Sequence, residues 1–311
     1  MNPKSFRVGV ALGGGAARGL AHIGVLKVLQ AERIPIDIIT GTSIGALVGG
    51  AFAILGDMAK VEERFRRFVR SREFRHTEFE FLKDSRRETP SLIYSVASMI
   101  KRGVFYSFSM TKSSFISKEN FQHNIHALIE DVLIEKLRLP FGAVAADLES
   151  GQAALLTSGS LRQAVCASSA IPGLMPPIPI NGRTLIDGGW VSKVPVIEAF
   201  RMGADMVIAS DISVELEDTR TLKKGLEILV RAEAIKADAL RAIQCRMADV
   251  LIRPQVSHVH WADFVEGTRL IAAGEAAAAA RIPDIQAVIE RSKWKTRLGF
   301  SRGKRLAKLF L

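Results

Sequence analysis

The chain has 311 residues, 48% of them hydrophobic and 7% aromatic, with a formal charge of +11. That length supports one large α/β domain or two modest ones, and the composition excludes an intrinsically disordered chain. No apolar run reaches the roughly 18 residues that span a bilayer, and two cysteines, Cys166 and Cys245, without metal-like spacing argue against a disulfide framework and for a reducing compartment.

Lys4 and Arg7 precede the short apolar run Val8-Gly9-Val10-Ala11-Leu12. The run is too short for a signal peptide and leads into glycines, so Arg7–Leu12 is expected to be a strand and the protein cytoplasmic. Gly13–Gly15 reads as a tight loop, and residues 16–32 as an amphipathic helix. Ile36-Asp37-Ile38-Ile39-Thr40 is β-branched and apolar, hence a buried strand, and Ile44 to Leu55 reads as a buried helix. Strand, glycine loop, helix, strand, turn and helix in this order open a doubly wound parallel sheet.

Residues 60–87 carry ten Lys/Arg and six Asp/Glu with several Phe, which predicts charged amphipathic helices, followed by a mobile segment to Ser109. Residues 60–120 are therefore a helical insertion and a candidate lid. Further strands are expected at 142–146, 153–157, 184–186, 206–210 and 249–252, and long helices at 221–247 and 267–281. Eight basic residues and no acidic ones fall in 291–311, and without them 35 basic residues face 32 acidic ones. The basic character is thus concentrated in a tail, 286–311, behind a main domain of 1–285. Trp294, Leu298, Phe300 and Phe310 interleave with the charges, a pattern that fits an anchor on an anionic membrane surface; a solvated end is the alternative. No nucleic-acid recognition motif accompanies the charge.

Gly41-Thr42-Ser43-Ile44-Gly45 places a serine between a strand and a helix, flanked by glycines. This is the pattern of a nucleophile elbow, where the helix start brings unpaired N–H groups and positive dipole toward the hydroxyl. A serine needs a base and needs donors for the oxyanion. The loop Gly13-Gly14-Gly15-Ala16-Ala17-Arg18-Gly19 can supply donors, because the ends of the first two strands are neighbours in a parallel sheet; Arg18 is a candidate to fix that loop or an anionic group. The same glycines fail as a dinucleotide motif, since Arg18 stands where the third glycine belongs, and as a P-loop, since Leu20 and Ala21 follow Gly19. For the base, Asp187 in Ile186-Asp187-Gly188-Gly189 is presented on a turn after a strand. Among the histidines, His22 lies in the first helix, His76, His123 and His126 in charged or helical segments, and His258 and His260 on a Val-rich stretch. Ser43, Asp187 and a late histidine match the chain order of an α/β-hydrolase triad, but only 42 residues precede the serine, room for about two strands. A Ser-Asp dyad is the preferred reading.

Taken together, Gly13 to Leu26 (GGGAARGLAHIGVL), Gly41–Gly45, Ala146–Gly151 (ADLESG), Ala167–Gly173 (ASSAIPG) and Asp187-Gly188-Gly189 resemble the patatin-like phospholipases, a family that includes the neuropathy target esterase catalytic domain. The resemblance covers about residues 6–210. It implies a three-layer α/β/α fold with a mainly parallel central sheet, and hydrolysis of acyl esters of phospholipids or lysophospholipids. It implies Ser43 as nucleophile and Asp187 as base. It further implies the Gly13, Gly14 and Gly15 amides as oxyanion hole, support from Arg18, Gly41, Gly45 and Gly188, and no metal or organic cofactor. Many members carry a fourth glycine where Ala16 stands. A regulatory protein that keeps the fold without turnover is the contrasting expectation, since fold and function are separable.

Overall fold

The computed structural model describes residues 6–71, 114, 116–216, 222 and 225–297. The strands are β1 (Val8–Leu12), β2 (Ile38–Thr42), β3 (Phe141–Asp147), β4 (Ala153–Leu156), β5 (Ile178–Ile180), β6 (Arg183–Asp187), β7 (Met206–Ser210) and β8 (Val250–Ile252). They form one sheet in the order β5-β6-β3-β2-β1-β7-β8, with β4 also paired to β3. The pairs among β3, β2, β1, β7 and β8 are parallel, and β4, β5 and β6 add antiparallel pairs at the other edge.

Strand periodicity sorts the core. Val8, Val10 and Leu12 of β1 and Met206 and Ile208 of β7 join a large apolar cluster on one face, whereas Ala11, Val207 and Ala209 join a smaller one on the other. The larger face is covered by α1 (Ala21–Ala31), α2 (Ile44–Leu55), α3 (Met58–Arg70), α4 (Lys118–Leu128), α5 (Leu161–Ser168), α8 (Gly267–Ala279) and α9 (Ile282–Arg297). The smaller face receives α6 (Val196–Arg201) and the C-terminal end of α7 (Gly225–Met247), through Phe200 and Cys245. Central β1 and β2 are buried along their whole length, as strands covered on both faces must be. This is the three-layer α/β/α arrangement expected from the sequence.

Several boundaries differ for physical reasons. The first helix is divided into a 3-10 turn, Ala16–Leu20, and α1, and Ala16, which opens the turn, sits at φ 51 in the left-handed region outside regular helix. The strand before Ser43 starts later and runs to Thr42, since Asp37 turns its side chain to accept the Val8 amide at 2.7 Å. β5 carries Pro179, which confines it to the sheet edge and hides it from a strand reading. Helix α3 fulfils the amphipathic expectation, burying Met58, Val61 and Phe65 and exposing its arginines. Helix α9 crosses residue 286, and Ile285 and Ile289 are buried in the core, so the first half of the expected tail is part of the body. The helices and mobile segment expected between 72 and 109, and the tail beyond 297, lie outside the described residues. Cys166 and Cys245 are buried free thiols, and no helix among the described residues is long and apolar enough to cross a membrane.

Candidate active site

Ser43 stands between the last residue of β2 and the first of α2 with φ 55 and ψ −122. A side chain at positive φ is costly by about 1–3 kcal/mol, so the surrounding packing must hold it there. The chain on either side approaches so closely that a Cβ at Gly41 would strike the Ala46 backbone and one at Gly45 the Leu12 carbonyl. The Ser43 amide donates to Ser168 Oγ at 2.9 Å, and Ser168 Oγ donates to the Val144 carbonyl at 2.6 Å. Thr42 Oγ1 donates to the Ser192 carbonyl at 2.7 Å, clamping the elbow to the loop that follows Asp187. Ser168 was part of a family-like block in the sequence, but its role as a brace depends on a contact over 125 positions.

Sheet register brings the second residue in. Thr42 lies opposite Val144 of β3, and the next β3 residue, Ala145, lies opposite Asp187 of β6. Ser43 and Asp187 therefore reach the same level on either side of β3. The Ser43 side chain is near enough to the Asp187 carboxyl to pull its pKa down. Asp187 Oδ1 also accepts the Gly189 amide at 2.7 Å. Gly188 packs against the Val144 carbonyl with no space for a Cβ. Burial pushes the Asp187 carboxyl up to about 6, against the opposing pull of the Ser43 side chain, the Gly189 amide and the Lys193 charge.

The glycine loop lies against the elbow, with the space at Gly14 bordered by Ser43 Cβ. One expectation is corrected here. The Gly13 amide donates to Ser210 O at 3.0 Å and the Gly14 amide to Lys193 O at 2.9 Å, so neither is available to an oxyanion. Gly15 and Ala16 have no amide hydrogen bond to a described residue, and Ala16 lines the pocket beside Ser43. Ala16 holds a left-handed φ that a glycine would adopt without cost.

His22, fully buried, fixes the loop from behind. Its Nε2 donates to the Gly13 carbonyl at 2.8 Å and its Nδ1 accepts from Ser210 Oγ at 2.9 Å. That carbonyl has no proton of its own, which sets the tautomer. Burial drives its pKa down to about 4, keeping the ring neutral. Arg18 is buried and donates Nε to the Val259 carbonyl at 2.8 Å, while the Ala17 amide bonds Trp261 O at 2.8 Å. Arg18 thus ties the loop to the 256–262 segment. His258 and His260 lie on that same segment, with His260 Nδ1 accepting the Ala262 amide at 3.3 Å. No histidine is among the groups that set the charge of Asp187.

Ser43 opens onto a pocket of about 690 Å³, counted to its open mouth. Ile44 and Leu47 of α2, Phe65 and Phe68 of α3, and Phe121, Asn124, Ile125 and Leu128 of α4 supply most of its wall. The lining is almost wholly apolar, which suits a hydrocarbon chain. Among the described residues no group of three or more His, Cys, Asp or Glu comes together as a metal site.

Residues 10–200 match the family described as patatin-like phospholipase. The chain is 32% identical over 273 residues to the rat protein named patatin-like phospholipase domain-containing protein 7. It is 31% identical over 274 residues to neuropathy target esterase sws of Drosophila melanogaster, and 31% identical over 218 residues to lysophospholipase NTE1 of Yarrowia lipolytica. These alignments cover 84%, 84% and 70% of this chain but only 18%, 17% and 13% of the relatives, so the chain spans less than a fifth of their length. Among solved structures, VipD from Legionella pneumophila superposes with a TM-score of 0.45 at 15% identity, over 89% of this chain and 66% of its own. By the extent of the family match and the identity to its curated members, the chain belongs to the patatin-like phospholipase family.

Proposed function

We propose that this chain is a serine acylhydrolase of phospholipids or lysophospholipids, working through a Ser43–Asp187 dyad. The observation that carries the reading is a serine at strained φ that sheet register brings beside a buried carboxyl, at the wall of an apolar pocket. The acyl chain enters between α2, α3 and α4. Asp187, ionised above about pH 6, accepts the Ser43 proton as Oγ bonds to the ester carbonyl carbon. The Gly15 and Ala16 amides receive the negative charge on the carbonyl oxygen. The ester C–O bond then breaks, Asp187 returns the proton to the departing alcohol, and an acyl-serine remains. Water gives a proton to Asp187, attacks the acyl carbon and releases the fatty acid, and Ser43 recovers its proton. The reaction needs no metal and no organic cofactor. On the same reading the chain works in the cytoplasm, peripheral to a membrane, and the basic segment 291–311 adds salt-sensitive attraction to anionic lipid.

Release of p-nitrophenol from a short-chain ester tests the dyad. Ser43→Ala and Asp187→Asn are each expected to lower kcat by at least ~10³-fold. Wild-type turnover in either variant refutes it, and selective loss in His258→Ala or His260→Ala redirects the reading to a triad.

A further inference from the structure

Among the described residues helix α7 has an outer face unlike that of any other helix. Ile228, Leu229, Ile235, Leu240 and Ile243 are exposed by 53, 60, 53, 36 and 57%. They follow helical spacing, with Ala232 and Ala239 exposed between them, so they form one continuous stripe. The opposite face holds the helix down: Val230, Ala234, Arg241, Gln244 and Cys245 are buried. A helix of a water-facing body normally shows the reverse of an apolar outer stripe, and a contiguous patch of this kind marks an interaction surface.

Two observations identify the occupant. The first is charge. Among the exposed described positions of α7 the only charged residues are Lys236 and Arg246, both basic. Its three acidic side chains are only half-exposed: Glu227, Glu233, which pairs with Lys236 at 2.7 Å, and Asp238, which pairs with Arg241 at 2.5 Å. An apolar stripe punctuated by cations is the pattern of a helix lying in the headgroup region of an anionic bilayer.

The second is position. Arg241 and Cys245 both reach Asp211, the residue that follows β7, at 2.5 and 3.5 Å. Met247 then leads into β8, which runs parallel to β7. The last two turns of the helix therefore run alongside the sheet. The sixteen residues from Gly225 to Leu240, a length of about 24 Å, precede the contact with Asp211 at the carboxyl end of β7, the end of the sheet where Ser43 lies. Gln244 also bonds the Val191 carbonyl at 3.0 Å and the Val194 amide at 3.2 Å, so α7 is pinned to the segment just after Asp187. Trp190, 47% exposed, sits in that segment.

We propose that the outer face of α7 is a docking surface for an anionic phospholipid bilayer, seating the catalytic edge of the sheet toward the lipid. The choice of a bilayer rests on the lipid-hydrolase reading; the binding itself does not require turnover.

The experiment uses the full chain carrying Ser43→Ala, so that lipid is not consumed, with vesicles of phosphatidylcholine alone or mixed equally with phosphatidylglycerol. The double variant Ile228→Glu/Ile235→Glu changes exposed positions only. Its co-sedimentation with the mixed vesicles is expected to weaken at least tenfold, and binding to pure phosphatidylcholine to be weak in both proteins. Lys236→Glu/Arg246→Glu is expected to weaken binding to the mixed vesicles alone. In the Ser43 background, all four substitutions leave hydrolysis of a soluble short-chain ester within twofold of wild type, which separates a docking defect from a failed dyad. Unchanged vesicle binding by the double variant overturns the proposal. So does a dimer that becomes a monomer on Ile228→Glu/Ile235→Glu while vesicle binding persists, because the stripe then belongs to a second copy.

Discussion

Asp187→Asn is expected to make the protein inactive and more stable, with a stability gain that depends on pH. The carboxyl has its pKa raised from 3.8 to about 6 by burial. Between those values the unfolded chain has lost the proton and the native state still holds it, so native stability falls as pH rises through the window. The full cost, reached above about pH 6, is about two pKa units, or about 3 kcal/mol. Asn keeps the acceptor for the Gly189 amide and never carries the buried charge. Urea unfolding followed by circular dichroism should therefore find Asp187→Asn more stable by about 3 kcal/mol near pH 8 and by about half of that near pH 5. The same titration governs catalysis, since only the ionised carboxylate can take the serine proton, and kcat/KM of the wild type is expected to rise with pH through about 6. A variant that is equally stable at both pH values, or less stable near pH 8, refutes the claim that Asp187 is held against its own ionisation.

The loop behind the oxyanion site makes two further predictions. His22→Ala leaves the Gly13 carbonyl and the Ser210 hydroxyl without their partners and is expected to destabilise by about 1–3 kcal/mol. It is also expected to lower kcat by at least ~10-fold with little change in KM, because the loop that carries the Gly15 and Ala16 amides is no longer fixed; a change in KM alone refutes that role. Ala16→Gly relieves a left-handed φ of 51 but gains freedom in the unfolded chain, so its stability is expected to stay within about 1 kcal/mol of wild type and its turnover within a few-fold. A loss of turnover beyond tenfold contradicts the assignment of that strain to the backbone.

What could be read from the sequence was local. Glycines at 13–15, 41 and 45 and the apolar runs beside them fixed the loop, elbow and central strands because each depends on residues a few positions apart. Asp187 was legible only as a carboxylate on a turn, and its place near Ser43 depends on β3 lying between β2 and β6. Which amides face the substrate was illegible, because Gly13 and Gly14 bond carbonyls about 180–200 positions away, at Lys193 and Ser210. His22 read as one more helix residue for the same reason. Helix α9 was misjudged as the start of a tail because its charge is evident in composition, whereas the inward spacing of Ile282, Ile285 and Ile289 becomes meaningful only against a core surface. The stripe on α7 was illegible as well: a long helix was expected at 221–247, and only the fold reveals which of its apolar residues face outward.

The most direct measurement of the central claim is covalent labelling by a fluorophosphonate, followed by peptide mass spectrometry near pH 8. A serine activated by a neighbouring carboxylate is expected to give one adduct, on Ser43, whose formation slows by at least ~10²-fold in Asp187→Asn. An adduct on another residue, or equal labelling rates in the two proteins, contradicts the dyad.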